Sequence, residues 1–288
     1  MVPLTWAGSN IYRHLITGIT GKVVMGNLVE QQREHFNKIA TVYAEARKDA
    51  KHLLLKKMIW ENFFKNKQNL SSSCKRVLEP MCGIGEGGQI IKNYLTADID
   101  YSGFDYSESM VESATEENPD ANITWADATA YEHSGQLFDW IVLIGGLHHV
   151  FSVSGDVVSR LGQSLHPGGY FLNFEPTQNC WLTRKIRQSI YNKNDIFDEE
   201  TEQGFDLPDL DAQFESAGFE KTDQVYPGLL AYVLFYNPDA FPILNIGGKW
   251  LVLATFWFDR LIWRTWIAKK LSFATITLWR KKELRNEK

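Results

Sequence analysis

Apolar positions recur along the chain in two rhythms. Between residues 30 and 67, charges alternate with Phe36, Ile39, Ala40, Tyr43, Leu53, Leu54, Met58, Ile59 and Phe63, mostly three to five residues apart, which predicts one or two amphipathic helices. A polar linker, 68–73, follows. From residue 76 short apolar runs alternate with helical stretches, the pattern of a parallel sheet flanked by helices. Strands are predicted at 76–82, 101–105, 123–126, 140–144, 170–174 and 220–225. Helices are predicted from the glycine cluster after residue 82 to residue 96, at 107–116 with Ser107 as cap, at 157–165, and at 207–217 closed by Gly218. Pro167 and Gly168 make a turn into the fifth strand. Between 229 and 270 a long aromatic and aliphatic stretch, broken at Asn237, Pro238, Pro242, Gly247 and Gly248, reads as two helical segments inserted before a last strand at 273–279.

Gly83, Gly85 and Gly88 have the spacing G-x-G-x-x-G between a strand and a helix, and Asp105 ends the next strand. Glycines let backbone approach a ligand, and a carboxylate at that place holds ribose hydroxyls; a tight turn beside an exposed acid is the bland alternative. Glu79, near the end of the first strand, would face a pyrophosphate badly but suits a ligand with an ammonium group and a positive sulfur. Asp127, followed by Ala128, ends the third strand, where it would accept a hydrogen bond from an adenine amino group. Three acids on neighbouring strand ends describe a cationic adenosine ligand better than an anionic one. No Tyr has a Lys four residues later, as short-chain dehydrogenases require.

The stretches RVLEPMCGIGEGG (76–88), YSGFDYSESMVESA (101–114), ITWADA (123–128), FDWIVLIGGLHHV (138–150) and LHPGGYFLNFEP (165–176) resemble, in order, the Rossmann-like, class I S-adenosylmethionine-dependent methyltransferases. HFNKIATVYAEAR (35–47) is similar to the segment that closes over the cofactor in many members. The resemblance implies an α/β fold with a seven-stranded sheet of order 3-2-1-4-5-7-6, the last strand antiparallel. It also implies N-terminal helices and a helical cap inserted before the last strand. Three parts follow: 1–70 as helical segment and cofactor lid, 71–228 with 272–282 as the cofactor-binding core, and 229–271 as the aromatic cap. Carried over residue by residue, Glu79, Gly83 and Gly85 would line the methionine portion of S-adenosylmethionine, and Asp105 would hold the ribose. Tyr106 and Met110 would pack on the adenine, whose pocket Asp127 and Ala128 complete. Ile144 and Gly145 would approach from the fourth strand, and Tyr43 would reach the cofactor carboxylate. The product would be S-adenosylhomocysteine.

Charge and cysteine content narrow the partners. The 288 residues carry 30 Lys plus Arg against 35 Asp plus Glu, a net charge of −5 that speaks against a dedicated nucleic-acid binder. Cys74, Cys82 and Cys180 are too few and too scattered for a disulfide framework or a zinc site, so a reducing, cytoplasmic setting and no metal are expected. Cys82 reads as a small buried hydrophobe. No run has signal-peptide or membrane-spanning character.

Transfer from a sulfonium is an in-line displacement that needs an aligned acceptor, exclusion of water and, for a hydroxyl, removal of a proton. His148 and His149 follow the fourth strand and Glu175 ends the fifth, so an imidazole oriented by that carboxylate is a candidate general base. The alternative is that one His shapes the cofactor pocket, the other faces the core, and Glu175 helps end its strand. Oxygen is the favoured acceptor atom; carbon or nitrogen of a quinone, lipid or natural product stays open, as do a non-catalytic cofactor-binding protein and a dehydrogenase.

Five of the ten tryptophans, Trp250, Trp257, Trp263, Trp266 and Trp279, fall in the last 39 residues, interleaved with Arg260, Arg264, Lys269 and Lys270. Residues 260–288 hold nine basic and two acidic residues, leaving 21 and 33 in the first 259. An apolar cap implies a hydrophobic or aromatic small-molecule acceptor. The same pattern fits peripheral contact of 250–282 with an anionic membrane, or a hairpin buried on the sheet or in a homodimer.

Overall fold

The computed structural model describes residues 30–31, 33–38, 44–191, 203–238 and 242–283. Tyr43 lies outside them. In chain order the elements are α1 (Ala50–Phe64), β1 (Arg76–Pro80), α2 (Glu86–Tyr94), β2 (Asp100–Asp105), α3 (Glu108–Glu117), β3 (Asn122–Trp125), β4 (Phe138–Ile144), α4 (Ser154–Gln163), β5 (Leu165–Pro176) and α5 (Trp181–Tyr191). Then come α6 (Leu207–Ser216), β6 (Phe219–Val225), α7 (Leu230–Phe235), α8 (Lys249–Ile262), α9 (Trp266–Leu271) and β7 (Ala274–Lys281). Helical residues 30–31 and 33–38 precede α1.

The sheet has the order β3-β2-β1-β4-β5-β7-β6. Its first five strands are mutually parallel, and β7 runs antiparallel to both β5 and β6. This is the order and polarity that the methyltransferase resemblance implies. The period of two along each strand divides two apolar layers, because successive side chains point to opposite faces. On β4, Trp140 and Val142 join Trp60, Phe63 and Phe64 of α1 on one face, while Ile141 and Leu143 join Val157 and Leu161 of α4 on the other. A strand covered on both faces reads as an unbroken apolar run, as 140–144 does.

Local chemistry sets the element ends. Ser107 caps α3 by accepting from the Met110 N–H, as its position before the apolar run predicts. Leu165, expected to finish the preceding helix, opens β5 instead, because it pairs with Phe138 across the sheet before a register shift passes the Pro167–Gly168 turn. Among its described residues the stretch 229–271 forms three helices rather than two: α7 stops before Asn237 and Pro238, and Thr265, extended and accepting from the Ala268 N–H, separates α8 from α9. Phe235, Val252, Phe256 and Trp263 of this stretch join the α1 side of the core. α5 was not expected; its apolar residues Trp181, Leu182 and Ile186 are exposed, so no buried stripe marks it. No described helix is long and apolar enough to cross a membrane.

Candidate active site

The glycine loop is built on a buried acid. Glu79 accepts from the Gly87 N–H at 2.8 Å, from the Gly88 N–H at 3.0 Å and from the Tyr101 hydroxyl at 2.5 Å. Burial pushes its pKa up to about 7 against the pull of these three donors. Glu79 therefore sits beneath the loop and ties β1, β2 and the start of α2 together, rather than projecting into the space above. Cβ atoms at Gly87 and Gly88 would meet the Glu79 carboxyl at 2.6 Å and the Tyr101 ring at 2.7 Å, so both positions are closed. Gly83 is the opposite case. Its φ is +52°, and a Cβ there would meet nothing within 4 Å, so the loop presents bare backbone to open space. Gly85, with φ +79°, packs against Asn118 and Tyr101 at the start of α2. Cys82 is buried, and burial raises its thiol pKa well above the ordinary range, which fits an inert small hydrophobe.

Asp105 borders that open space. One carboxylate oxygen accepts from the Gly83 N–H at 2.9 Å and the other from the Ser107 N–H at 2.9 Å. Burial raises its pKa while these N–H groups and the charge of nearby His149 lower it. Each oxygen has further acceptor capacity, since a carboxylate offers about four lone-pair sites. Tyr106 stacks on Trp125 with ring centroids 5.2 Å apart, and the Trp125 indole N–H donates to the Tyr106 carbonyl at 2.8 Å. Trp125 is 52% exposed, a large aromatic face left open beside Asp105. Asp127 caps a short turn by accepting from the Thr129 N–H at 2.8 Å, and Ala128 and Met110 are buried.

At the ends of β4 and β5 the two halves of the sheet meet. The backbone turns at Gly145, whose φ is +63°, so that Gly146, Leu147 and His148 direct their N–H groups at the Glu175 carboxylate, at 3.1, 2.9 and 3.3 Å. The same carboxylate lies 2.9 Å from His148 Nδ1. Burial raises the Glu175 pKa, with the N–H donors and nearby His149 opposing the rise. The His148 and His149 rings lie 3.9 Å apart, centre to centre. The expected pairing of a histidine with the acid of the neighbouring strand is thus present, and His148 makes it. Ile144 is partly buried just before the turn.

The 30–38 segment crosses this edge. Arg33 places one guanidinium nitrogen 2.7 and 2.9 Å from the two oxygens of Glu108, Asn37 accepts from the Ser107 hydroxyl at 2.6 Å, and Phe36 packs edge-on against His149 at 4.9 Å. It therefore connects the start of α3 to the histidine turn.

Residues 77–169 match a family described as a methyltransferase domain. The chain carries a methyltransferase domain. That span holds Glu79, the glycine loop, Asp105, Asp127 and both histidines, but not Glu175. Among solved structures, the fold is similar to magnesium protoporphyrin IX methyltransferase from Synechocystis PCC 6803 with bound SAH, at 11% identity over 88% of this chain and 99% of that one, TM-score 0.57. It is also similar to a putative sarcosine dimethylglycine methyltransferase from Galdieria sulphuraria, at 11% identity over 77% and 85%, TM-score 0.54. A cyclopropane synthase from Mycobacterium tuberculosis matches at 16% identity over 75% and 83%, TM-score 0.51. At these identities the likeness is one of fold. No curated protein sequence matches the chain.

Three features of the methyltransferase site were not singled out in the sequence. Trp125 sits in the ITWADA stretch, where an aromatic at an exposed strand end was the available signal. Met81 has φ 50°, unusual for a side chain with a Cβ, and packs on Gly146, linking the glycine loop to the histidine turn. The Arg33–Glu108 contact joins residues 75 apart and left no local trace.

Proposed function

We propose that this methyltransferase domain binds S-adenosylmethionine in the space bounded by Gly83, Asp105, Tyr106 and Trp125 and methylates a hydroxyl of a hydrophobic or aromatic small molecule. The residues fit the cofactor: the bare backbone at Gly83 admits the methionine portion, Asp105 has acceptor capacity for ribose hydroxyls, and the open face of Trp125 beside Tyr106 suits a purine. Met110, Asp127 and Ala128 would complete the adenine side, with Gly85 shaping the loop and Ile144 and Gly145 the opposite wall. When bound, the cofactor supplies an electrophilic methyl group on a positively charged sulfur.

The observation that carries the choice of oxygen is the 2.9 Å contact between His148 Nδ1 and the fully buried carboxylate of Glu175. With Nδ1–H donating to Glu175, Nε2 is the basic nitrogen. With the cofactor bound, Nε2 would be placed to take the proton of an acceptor hydroxyl, and Glu175 to stabilise the imidazolium that forms. His149, between Phe36 and His148, packs the wall of the same site.

Incubation with S-adenosylmethionine and a panel of phenols, quinones, lipids and macrocycles, read by mass spectrometry for the gain of one methyl, tests this. A product methylated on oxygen supports the reading; methylation on carbon or nitrogen overturns the assignment of the acceptor atom.

A further inference from the structure

Helix α8 carries apolar side chains on both its inward and its outward face. An ordinary surface helix turns an apolar stripe to the core and charges to water. In α8 the inward residues Val252, Thr255, Phe256 and Asp259 include a hydroxyl and an acid, whereas Trp250, Leu253, Trp257, Phe258 and Leu261 face outward. Trp250, Trp257 and Leu261 are 68%, 54% and 81% exposed. Trp250, Leu253, Trp257 and Leu261 follow one another at steps of three, four and four residues, which puts them on one stripe. Trp266 and Ile267 of α9 extend it, and Asn179, which donates to the Lys269 carbonyl at 2.8 Å, brings exposed Trp181 of α5 alongside. Isolated exposed apolar side chains are ordinary; a contiguous aromatic stripe marks an interaction surface.

Charge decides what covers it. From 242 to 273 the described residues hold five basic side chains, Lys249, Arg260, Arg264, Lys269 and Lys270, and one acid, Asp259, which is buried beneath α7. Lys270 lies over the Trp266 ring at 5.3 Å and Lys185 over the Trp181 ring at 4.6 Å, so ammonium groups rim the indoles. A second copy meeting this face about a two-fold axis would set the basic groups against copies of themselves. Indoles flanked by lysines on an exposed helix instead match the boundary between anionic headgroups and acyl chains, where an indole takes the apolar side and an ammonium the phosphate side.

We infer that α8, α9 and the start of α5 form a docking surface for an anionic lipid bilayer, with the outward stripe seated at the headgroup boundary. The inference stands apart from the acceptor chemistry. The location connects the two nonetheless: α9 runs through Ser272 and Phe273 into β7, whose first residues pair with Pro176 and Glu175. The docking surface thus ends at the edge of the sheet that carries the histidine turn.

Flotation of the full chain with vesicles of phosphatidylcholine, with and without phosphatidylglycerol, provides the test. The protein should float with the anionic vesicles, more weakly as salt is raised, and should stay in solution with the neutral ones. Trp257→Ser combined with Leu261→Ser should lower partitioning at least about tenfold, and Lys269→Glu with Lys270→Glu about fivefold or more per residue, with circular dichroism and melting unchanged because all four side chains are exposed. Absence of flotation with both vesicle types overturns the inference. So does a dimer in sedimentation velocity that Trp257→Ser dissolves while vesicle binding stays absent.

Discussion

His148 lies in the turn after β4 and Glu175 near the end of the neighbouring parallel strand β5, and the carboxylate holds both the imidazole and the backbone of the histidine: Nδ1 at 2.9 Å and the His148 N–H at 3.3 Å. A single acid fixes the ring and the turn that carries it. Replacing the base and replacing its holder should therefore differ. His148→Ala should lower kcat about 10²- to 10⁴-fold while affinity for S-adenosylhomocysteine, read by calorimetry, changes little. Glu175→Gln should lower kcat and also loosen the turn, seen as a lower melting temperature. Full activity in both variants sinks the general-base reading.

Asp105 has one N–H donor on each oxygen and borders the open loop. Asp105→Asn should weaken S-adenosylhomocysteine binding about tenfold or more, the loss expected when a charged acceptor becomes a neutral one. Titration calorimetry reads it directly, and unchanged affinity would move the ribose site elsewhere.

Two glycines of the same loop should fail in different ways. Gly83→Ala meets no atom within 4 Å, so the ligand-free protein should lose only the left-handed backbone penalty of about 1–2 kcal/mol, while cofactor affinity falls further. Gly87→Ala would drive a methyl to 2.6 Å from the Glu79 carboxyl and should lower the melting temperature with or without ligand. Melting curves with and without S-adenosylhomocysteine separate the two.

Asp259 accepts from the Ala231 N–H at 2.7 Å inside the core, and burial raises its pKa from 3.8 to about 6. A carboxyl that binds its proton more tightly when folded contributes stability below pH 4 that is lost as pH rises through 6. Asp259→Asn, neutral throughout, should be more stable than the native chain at pH 8 by about 1–3 kcal/mol and similar at low pH, measured by urea denaturation. Equal stability of the two at pH 8 would show the acid to be solvated.

The sheet was legible where the sequence repeats itself, since apolar runs ending in Glu79, Asp105, Asp127 and Glu175 announce strands and their functional ends together. Its order and the reversed last strand came through resemblance, because pairing of β5 with β7 joins residues about a hundred positions apart and leaves no local pattern. Side-chain direction was the information missing elsewhere. Nothing in the spacing tells that Glu79 turns down into α2 while Asp105 borders the open loop, or that Trp125 stands exposed on Tyr106. Leu165 illustrates a competing signal: it continues a helical period, yet pairing with Phe138 captures it for the sheet. The tryptophans of α8 gave periodicity without its sense, and only burial shows that the apolar stripe faces out.

The Glu79 anchor has a consequence for how the site fills. Because three donors from β2 and α2 converge on one buried acid, the amides of Gly87 and Gly88 have no route to water unless the sheet itself opens, and they should be among the slowest to exchange in hydrogen–deuterium measurements of the empty protein. The floor of the site exists before any ligand arrives, so little entropy is lost in shaping it. Ordering on association would then fall to whatever crosses from outside, above all the 30–38 segment, whose hold rests on the Arg33, Asn37 and Phe36 contacts.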